Sequence, residues 1–462
     1  MKEHSFFSVF ATLKKKEVQD FTSFLKNNYS TKRYKKARRL LERILLNPSG
    51  TPGELFRLKP QSQEYKSLSY QLSDLYRVLQ EYLIWKELQY DHRKRNLLFL
   101  DILKKRHLST VFLQILDRLD KHFDKNAVPT LWDYIDKLKL THYRYYSTTV
   151  NKLQKDSAEL IKRIMSTLDI FYFLSKKKYG AEFISRMRSL KNEGSEILLL
   201  DAIEKNWLKI EKQTDLARQY HHLFYLVRDK QENSFQYLKS LLFEHKIQDP
   251  EEGLIVLLYL INYIATKTQE SQLKRHQIIF DLYRVGIQQK LLIQDGHFPS
   301  DSFCNIVNLG CEHKDYRWVE NFISQWERYL VASEREGIGK LCWARLSFEK
   351  SDFKRTIELL EGLELSNTLL IVHHKSMLIR SFYEQDGYSE TMIDTCNAFS
   401  MQVRRAKDIS PNLMAACNNF AKLVKHLTNE RNSKDKLLTY REKYKNLICD
   451  AWILEKIEGR PN

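Results

Sequence analysis

The sequence predicts an all-α protein built from antiparallel helix pairs, and three observations predict it. Glycine (13) and proline (8) are scarce in a chain of 462 residues. Their average shares are about 7% and 5%, and sheet proteins spend such residues on frequent turns. The hydrophobic residues, 43% of the chain, recur at three- and four-residue intervals, the period of one helix face. Between Phe303 and Met401 one pattern then occurs three times: an apolar helical run, a tight polar turn and a second apolar run.

The three turns read His313-Lys314-Asp315-Tyr316, Lys350-Ser351-Asp352-Phe353 and Gln385-Asp386-Gly387-Tyr388, so the closing aromatics are 37 and 35 residues apart. A helix–turn–helix unit repeating at about 34 residues marks tetratricopeptide-type repeats. The expected fold is therefore a set of helix pairs stacked as a tetratricopeptide-like, right-handed superhelical array. The repeats are degenerate. Val319, Thr356 and Thr391 stand where the consensus has a small residue after the turn aromatic, and the closing prolines are absent.

The elements follow in order. Phe6, Phe7, Val9 and Phe10 open a small helical unit. Val18, Phe21, Phe24 and Leu25 mark one helix face, and Ser30-Thr31 can start the next helix, which reaches Leu46. Residues 47–61 hold three prolines and two glycines and read as a linker. Helical periodicity resumes from Glu64 to about Arg106. Helices are expected next at about 109–124, 129–147 (with Pro129 in its first turn), 153–175, 181–192, 196–211, 214–229 and 232–246. Asp249-Pro250-Glu251-Glu252 is a strong helix start: an N-cap, a proline at N1 and two acids at the positive helix end. That helix runs to about Thr266, its partner covers about 271–290, and the three repeats follow. Ser410-Pro411 starts a helix to about Leu427, and a last helix is expected over 434–457. The expected organisation is a basic N-terminal unit (1–46), the linker (47–61), an irregular helical-hairpin array (62–298), three repeats (299–402) and capping helices (403–462).

Four stretches carry a wider resemblance. They are Lys16 to Leu25; Leu168 to Phe173 followed by Lys176-Lys177-Lys178 and Glu182; Phe303 to Val307 with Trp318, Phe322-Ile323 and Arg335-Glu336; and Val403-Arg404-Arg405 with Asn419-Phe420. In these the chain resembles a family of uncharacterised bacterial proteins of about this length. The resemblance implies an all-helical repeat fold and brings no assigned activity. The chain departs from that family at Asn27-Asn28-Tyr29-Ser30, where a Ser-Pro-aromatic-Asn loop is expected.

The net charge of +18 is uneven. Residues 1–200 carry 39 Lys+Arg against 22 Asp+Glu, residues 201–462 carry 37 against 36, and within 301–400 the acids lead 16 to 11. The densest basic run is Lys32, Arg33, Lys35, Lys36, Arg38 and Arg39, with further clusters at Lys14-Lys15-Lys16, Arg93-Lys94-Arg95, Lys104-Lys105-Arg106 and Lys176-Lys177-Lys178. Such runs either solubilise a helical surface or track a phosphate backbone, and the sequence does not show whether they share a face. The mixed Thr141-His142-Tyr143-Arg144-Tyr145-Tyr146 stretch reads first as packing between helices and second as a stacking platform.

No chemistry-bearing motif stands out. There is no glycine-rich phosphate loop and no H-E-x-x-H. In the pairs His221-His222 and His373-His374, adjacent residues point about 100° apart on a helix, so neither pair chelates one metal alone. Cys311-Glu312-His313 lacks an activating constellation. The six cysteines, all beyond residue 300, read as reduced core thiols. The N-terminus lacks a signal-peptide pattern, and the longest apolar run is too short to span a bilayer. The expectation is a cytoplasmic protein with no membrane segment, cofactor, metal or catalytic residue. It would act as a scaffold that binds a protein or peptide in a concave groove, with Asn305, Arg335 and Arg380 as candidate groove residues. The alternative is nucleic-acid binding through the basic first 200 residues, with the repeats recruiting a protein.

Overall fold

A computed structural model of the chain describes residues 5–46, 62–125, 130–148, 155–189, 197–211, 214–267, 270–365, 367–406, 409–429, 431–444 and 446–460. The expected linker 47–61 and Pro129 lie outside the described residues. Among those described there are 22 α-helices and no strand. They are α1 (Ser5–Phe10), α2 (Lys15–Asn28), α3 (Thr31–Leu46), α4 (Gln63–Tyr90), α5 (His92–Lys105), α6 (Ser109–Lys125), α7 (Asp133–Thr148), α8 (Lys155–Ser189), α9 (Leu200–Glu211), α10 (Asp215–Asp229) and α11 (Glu232–Phe243). The remainder are α12 (Pro250–Ala265), α13 (Gln272–Gln288), α14 (Ser300–Glu312), α15 (Tyr316–Trp326), α16 (Ala332–Glu349), α17 (Phe353–Leu360), α18 (Thr368–Asp386), α19 (Glu390–Arg405), α20 (Pro411–Leu427), α21 (Lys434–Lys443) and α22 (Asp450–Glu458).

The chain groups into two compact units, residues 1–171 and 172–462. In the first, α1–α3 share one core with α4. Phe6, Phe10, Phe21, Leu25, Leu40 and Ile44 close on Leu68, Leu72, Leu75, Leu79 and Tyr82. The Phe21 and Tyr82 rings lie 5.5 Å apart between centroids. A separate cluster joins α5, α6 and α7 through Leu97, Leu100, Phe112, Leu116 and Leu140. Tyr143 belongs there: its ring meets Phe112 edge-on and its hydroxyl bonds Asp101, which is the packing role, although Tyr146 stays exposed.

In the second unit the three helix–turn–helix stretches expected as repeats form the helix pairs α14/α15, α16/α17 and α18/α19. The first two turns are alike bond for bond. Lys314 N–H donates to the Cys311 carbonyl (2.9 Å) and Asp315 N–H to Gly310 (3.1 Å); Ser351 and Asp352 repeat this on Phe348 and Ser347, both at 2.9 Å. These are Schellman closures with a left-handed residue after the helix, Lys314 (φ 58°) and Ser351 (φ 61°). His107, His245 and Lys290 close α5, α11 and α13 in the same way. Non-glycine residues in this region cost roughly 1 kcal/mol each, and their use here explains how so many helices end in a chain with 13 glycines.

The third turn differs. Gly387 has a positive φ (67°) in a γ-turn closed by Tyr388 N–H on the Asp386 carbonyl at 2.7 Å, exposed Tyr388 precedes the cap, and Ser389 caps α19 by accepting from Met392 N–H at 3.2 Å. The buried position matching Val319 and Thr356 is therefore Met392, and Thr391 faces solvent. Inside the first pair, Gly310 permits the close approach: a Cβ there would meet Val319 Cγ2 at 2.5 Å.

Several boundaries differ from expectation for identifiable reasons. The 64–106 stretch is two helices, because Asp91 ends α4 and its carboxylate accepts from Lys94 N–H (2.9 Å) to start α5. The stretches expected at 153–175 and 181–192 are one helix, α8. Gly180 does not break it, since a Cβ there would lie 3.0 Å from the Phe224 ring and the glycine serves that contact. The last expected helix is split into α21 and α22, with Cys449 left-handed (φ 54°) between them. The helix expected from residue 129 begins at Asp133, whose carboxylate accepts from Thr130 N–H at 2.7 Å. The strong start at Asp249-Pro250 forms as expected, with Asp249 accepting from Glu252 N–H at 3.0 Å.

Candidate functional site

The basic run lies on α3. Its buried residues are Ala37, Leu40, Leu41 and Ile44, and all six candidates, Lys32, Arg33, Lys35, Lys36, Arg38 and Arg39, are exposed. At about 100° per residue, Lys32, Lys35, Lys36 and Arg39 fall within roughly one third of the helix circumference, opposite the core. Arg33, in the first turn, points toward α4 and Arg38 away from it, and both are engaged. Arg33 pairs with Asp74 of α4 and stacks over Tyr29 at 4.2 Å, and Arg38 pairs with Glu42 at 2.8 Å. The other four make no ion pair among the described residues.

A cavity of about 600 Å³ opens beside this stripe, between α3 and α4. Lys36, Arg33 and Tyr29 line it from one side, and Lys66, Tyr70 and Asp74 from the other. Tyr70 is 77% exposed. Asp74 accepts the Tyr29 hydroxyl at 2.6 Å and pairs with Arg33 and Arg77. Burial opposes its ionisation, but the hydrogen bonds from Tyr29 and Arg33 win and hold its carboxyl below the ordinary carboxylate range. Burial and the Asp74 carboxylate raise the Tyr29 phenol. Lys66 and Tyr70 escaped the sequence reading because no basic neighbours flag them. The available signal was their i, i+4 spacing on one face of α4.

Two of the three lysines at 176–178 are engaged within the fold. Lys177 is 0% exposed, lies 4.3 Å and 4.5 Å from the Phe224 and Tyr225 ring centroids, and approaches Glu204 at 3.4 Å. Lys178 pairs with buried Glu252 at 2.5 Å. Burial, partly offset by Glu204, lowers the Lys177 ammonium to about 8. Glu204 also accepts from Tyr225 Oη and Arg228 Nη1, both at 2.7 Å. Nearby His221 stacks on Trp207 with centroids 3.8 Å apart. Burial, then the Lys177 charge, lowers it to about 3, so it is neutral at physiological pH. Arg93 in the 93–95 cluster is similarly engaged, with Asp133 and Asp136.

The three groove candidates do not converge. Asn305 is exposed on α14. Arg335 donates to the carbonyls of Arg328 (2.9 Å) and Leu330 (3.0 Å), so it closes the preceding short 3₁₀ turn. Arg380 stacks on Phe348 at 4.5 Å and donates to Ser376 O at 3.2 Å; burial lowers its guanidinium. A cavity of about 710 Å³ does form at the N-terminal ends of α14, α16 and α18. Asp301, Glu334, Glu336, Glu361 and Glu364 line it, against one lysine, Lys340, which pairs with Glu336 at 2.7 Å. None of the three candidates lines this cavity.

Burial pushes the Cys311 thiol up to about 12, and Cys304 and Cys342 sit with sulfurs 3.9 Å apart in the core. His374 Nε2 lies 2.8 Å from the buried Leu360 carbonyl. Among the described residues no group of three or more His, Cys, Asp or Glu could hold a metal ion, and no helix is long and apolar enough to cross a membrane. Compared with family models, curated proteins and solved structures, the chain matches none.

Proposed function

We propose that the protein is a non-catalytic helical-repeat scaffold whose repeats bind a segment of a protein partner, and that the partner segment is basic. On this reading the helix pairs stack as a tetratricopeptide-like superhelical array, with first helices side by side. The observation that supports it is the acid-lined cavity spanning successive repeats, in the part of the chain where acids outnumber bases 16 to 11. Glu361 and Glu364 carry no ion pair among the described residues, so their charge is available to a ligand. Contact between α14 and α16, and between α16 and α18, gives a continuous surface on which a peptide can lie.

Affinity capture from native cells tests the reading when wild type is run beside Glu361→Lys/Glu364→Lys. A specific protein recovered by wild type and lost from a variant of unchanged Tm supports it. Equal recovery by both, or recovery of no specific protein, overturns it.

A further inference from the structure

The N-terminal unit carries a second surface, independent of the repeats. We propose that the face formed by α3 and α4 binds single-stranded nucleic acid. The backbone phosphates run along Lys32, Lys36, Arg39 and Lys66, and one unpaired base stacks on Tyr70.

Four features converge on this ligand. The first is the charge. Lys32, Lys36 and Arg39 share the solvent side of α3 over about 10 Å, and Lys36 also lines the cavity that Lys66 faces from α4. None of these four makes an ion pair among the described residues, so nothing there competes with a phosphate. The second is the state of Asp74, the only acid lining the cavity among the described residues. Arg33 and Arg77 neutralise it and Tyr29 caps it, so it does not repel an anion. The third is Tyr70, whose ring stands 77% exposed at the mouth of the cavity. An aromatic left open beside bases offers a stacking face, and only an unpaired base has its own face free to meet it. The fourth is size: about 600 Å³ falls within the usual range of ligand clefts, about 300–1,000 Å³. Stacking tolerates every base and phosphates carry no sequence, so the binding is strand-selective without being sequence-selective.

Fluorescence anisotropy on the full chain tests this with labelled oligo(dT) and oligo(U) and a duplex of the same length. Single strands are expected to bind more tightly than the duplex, with log K falling against log salt at a slope of about −2 to −3 for three to four phosphates. Lys32→Ala/Lys36→Ala/Lys66→Ala should weaken binding at least tenfold at low salt and flatten the slope by about 2. Tyr70→Ala should weaken it roughly 5- to 100-fold without changing the slope, and Tyr70→Trp should restore it. All of these side chains are exposed, so the variants should melt with wild type. The proposal is overturned if single strands do not bind at low salt, if the duplex binds equally well, or if Tyr70→Ala has no effect. Binding only to vesicles containing anionic lipid overturns it in favour of a membrane-surface role.

Discussion

Two lysine-rich stretches read alike in the sequence and occupy opposite environments. On α3 the bases at 32, 35, 36 and 39 alternate with a buried stripe at 37, 40, 41 and 44 and stay on its far side. On α8 the described buried positions include Thr167, Phe173, Leu174, Lys177, Gly180 and Ala181, so Lys177 falls in phase with the apolar stripe. A run of charge becomes a surface only when it is out of phase with the core. In phase, it must be compensated inside, here by Glu204 and two aromatic faces. The clusters therefore do different work: the first is free to meet an external anion, and the second holds helices α8, α9 and α10 together.

The largest test of this contrast is Glu204→Leu. It leaves buried Lys177 without a carboxylate, while Arg228 keeps Asp229, and an expected loss of about 3 kcal/mol is read by denaturant unfolding. A loss under about 1 kcal/mol would show that packing alone secures the cluster.

Acid should act on the same region. His221 is held neutral, with its folded pKa below its unfolded value. As pH falls the unfolded chain therefore takes up the proton first. The stability present at neutral pH is lost from about pH 6.5 downward, roughly 2 kcal/mol by pH 5. Comparing wild type with His221→Phe, which keeps an aromatic stack on Trp207, isolates this contribution: the variant should lose less stability between those pH values.

Lys177→Met is expected to stay within about 1 kcal/mol of wild type, because Glu204 keeps Arg228 and Tyr225 as partners and the site is otherwise apolar. A loss above about 3 kcal/mol in chemical melts would mean that the Lys177 charge itself is required. The smallest effect belongs to the exposed cluster. Lys32→Ala, Lys35→Ala and Arg39→Ala should each move stability by no more than about 0.5 kcal/mol, so a larger shift in thermal unfolding would place these residues in the fold's own network.

Much of the architecture was legible in the residues because it is written in local chemistry. The Asp249-Pro250 and Ser410-Pro411 starts cap as expected, since an N-cap acceptor and an N1 proline act within one turn. The first two repeat turns carry the Asp that follows a left-handed residue, and they close alike. Where the structure differs, a contact beyond the local helical turn is responsible. The stretches at 153–175 and 181–192 read as two helices, and they join as one where Gly180 packs against Phe224. Arg335 donates to the carbonyls of Arg328 and Leu330, and Arg380 stacks on the Phe348 ring, engagements that the sequence does not show.

The candidate sites divide the same way. The exposed bases of α3 could be named from the sequence, but Lys66 and Tyr70 come from another helix, and the acids of the repeat cavity are spread from Asp301 to Glu364. The sequence by itself determined that this chain is helical, where most of its helices start and turn, and where its charge concentrates, because those properties depend on neighbours within one turn. Only the tertiary structure decided which charges remain in water and which cavities they border, because each helix has one face to bury and the packing of its neighbours chooses it.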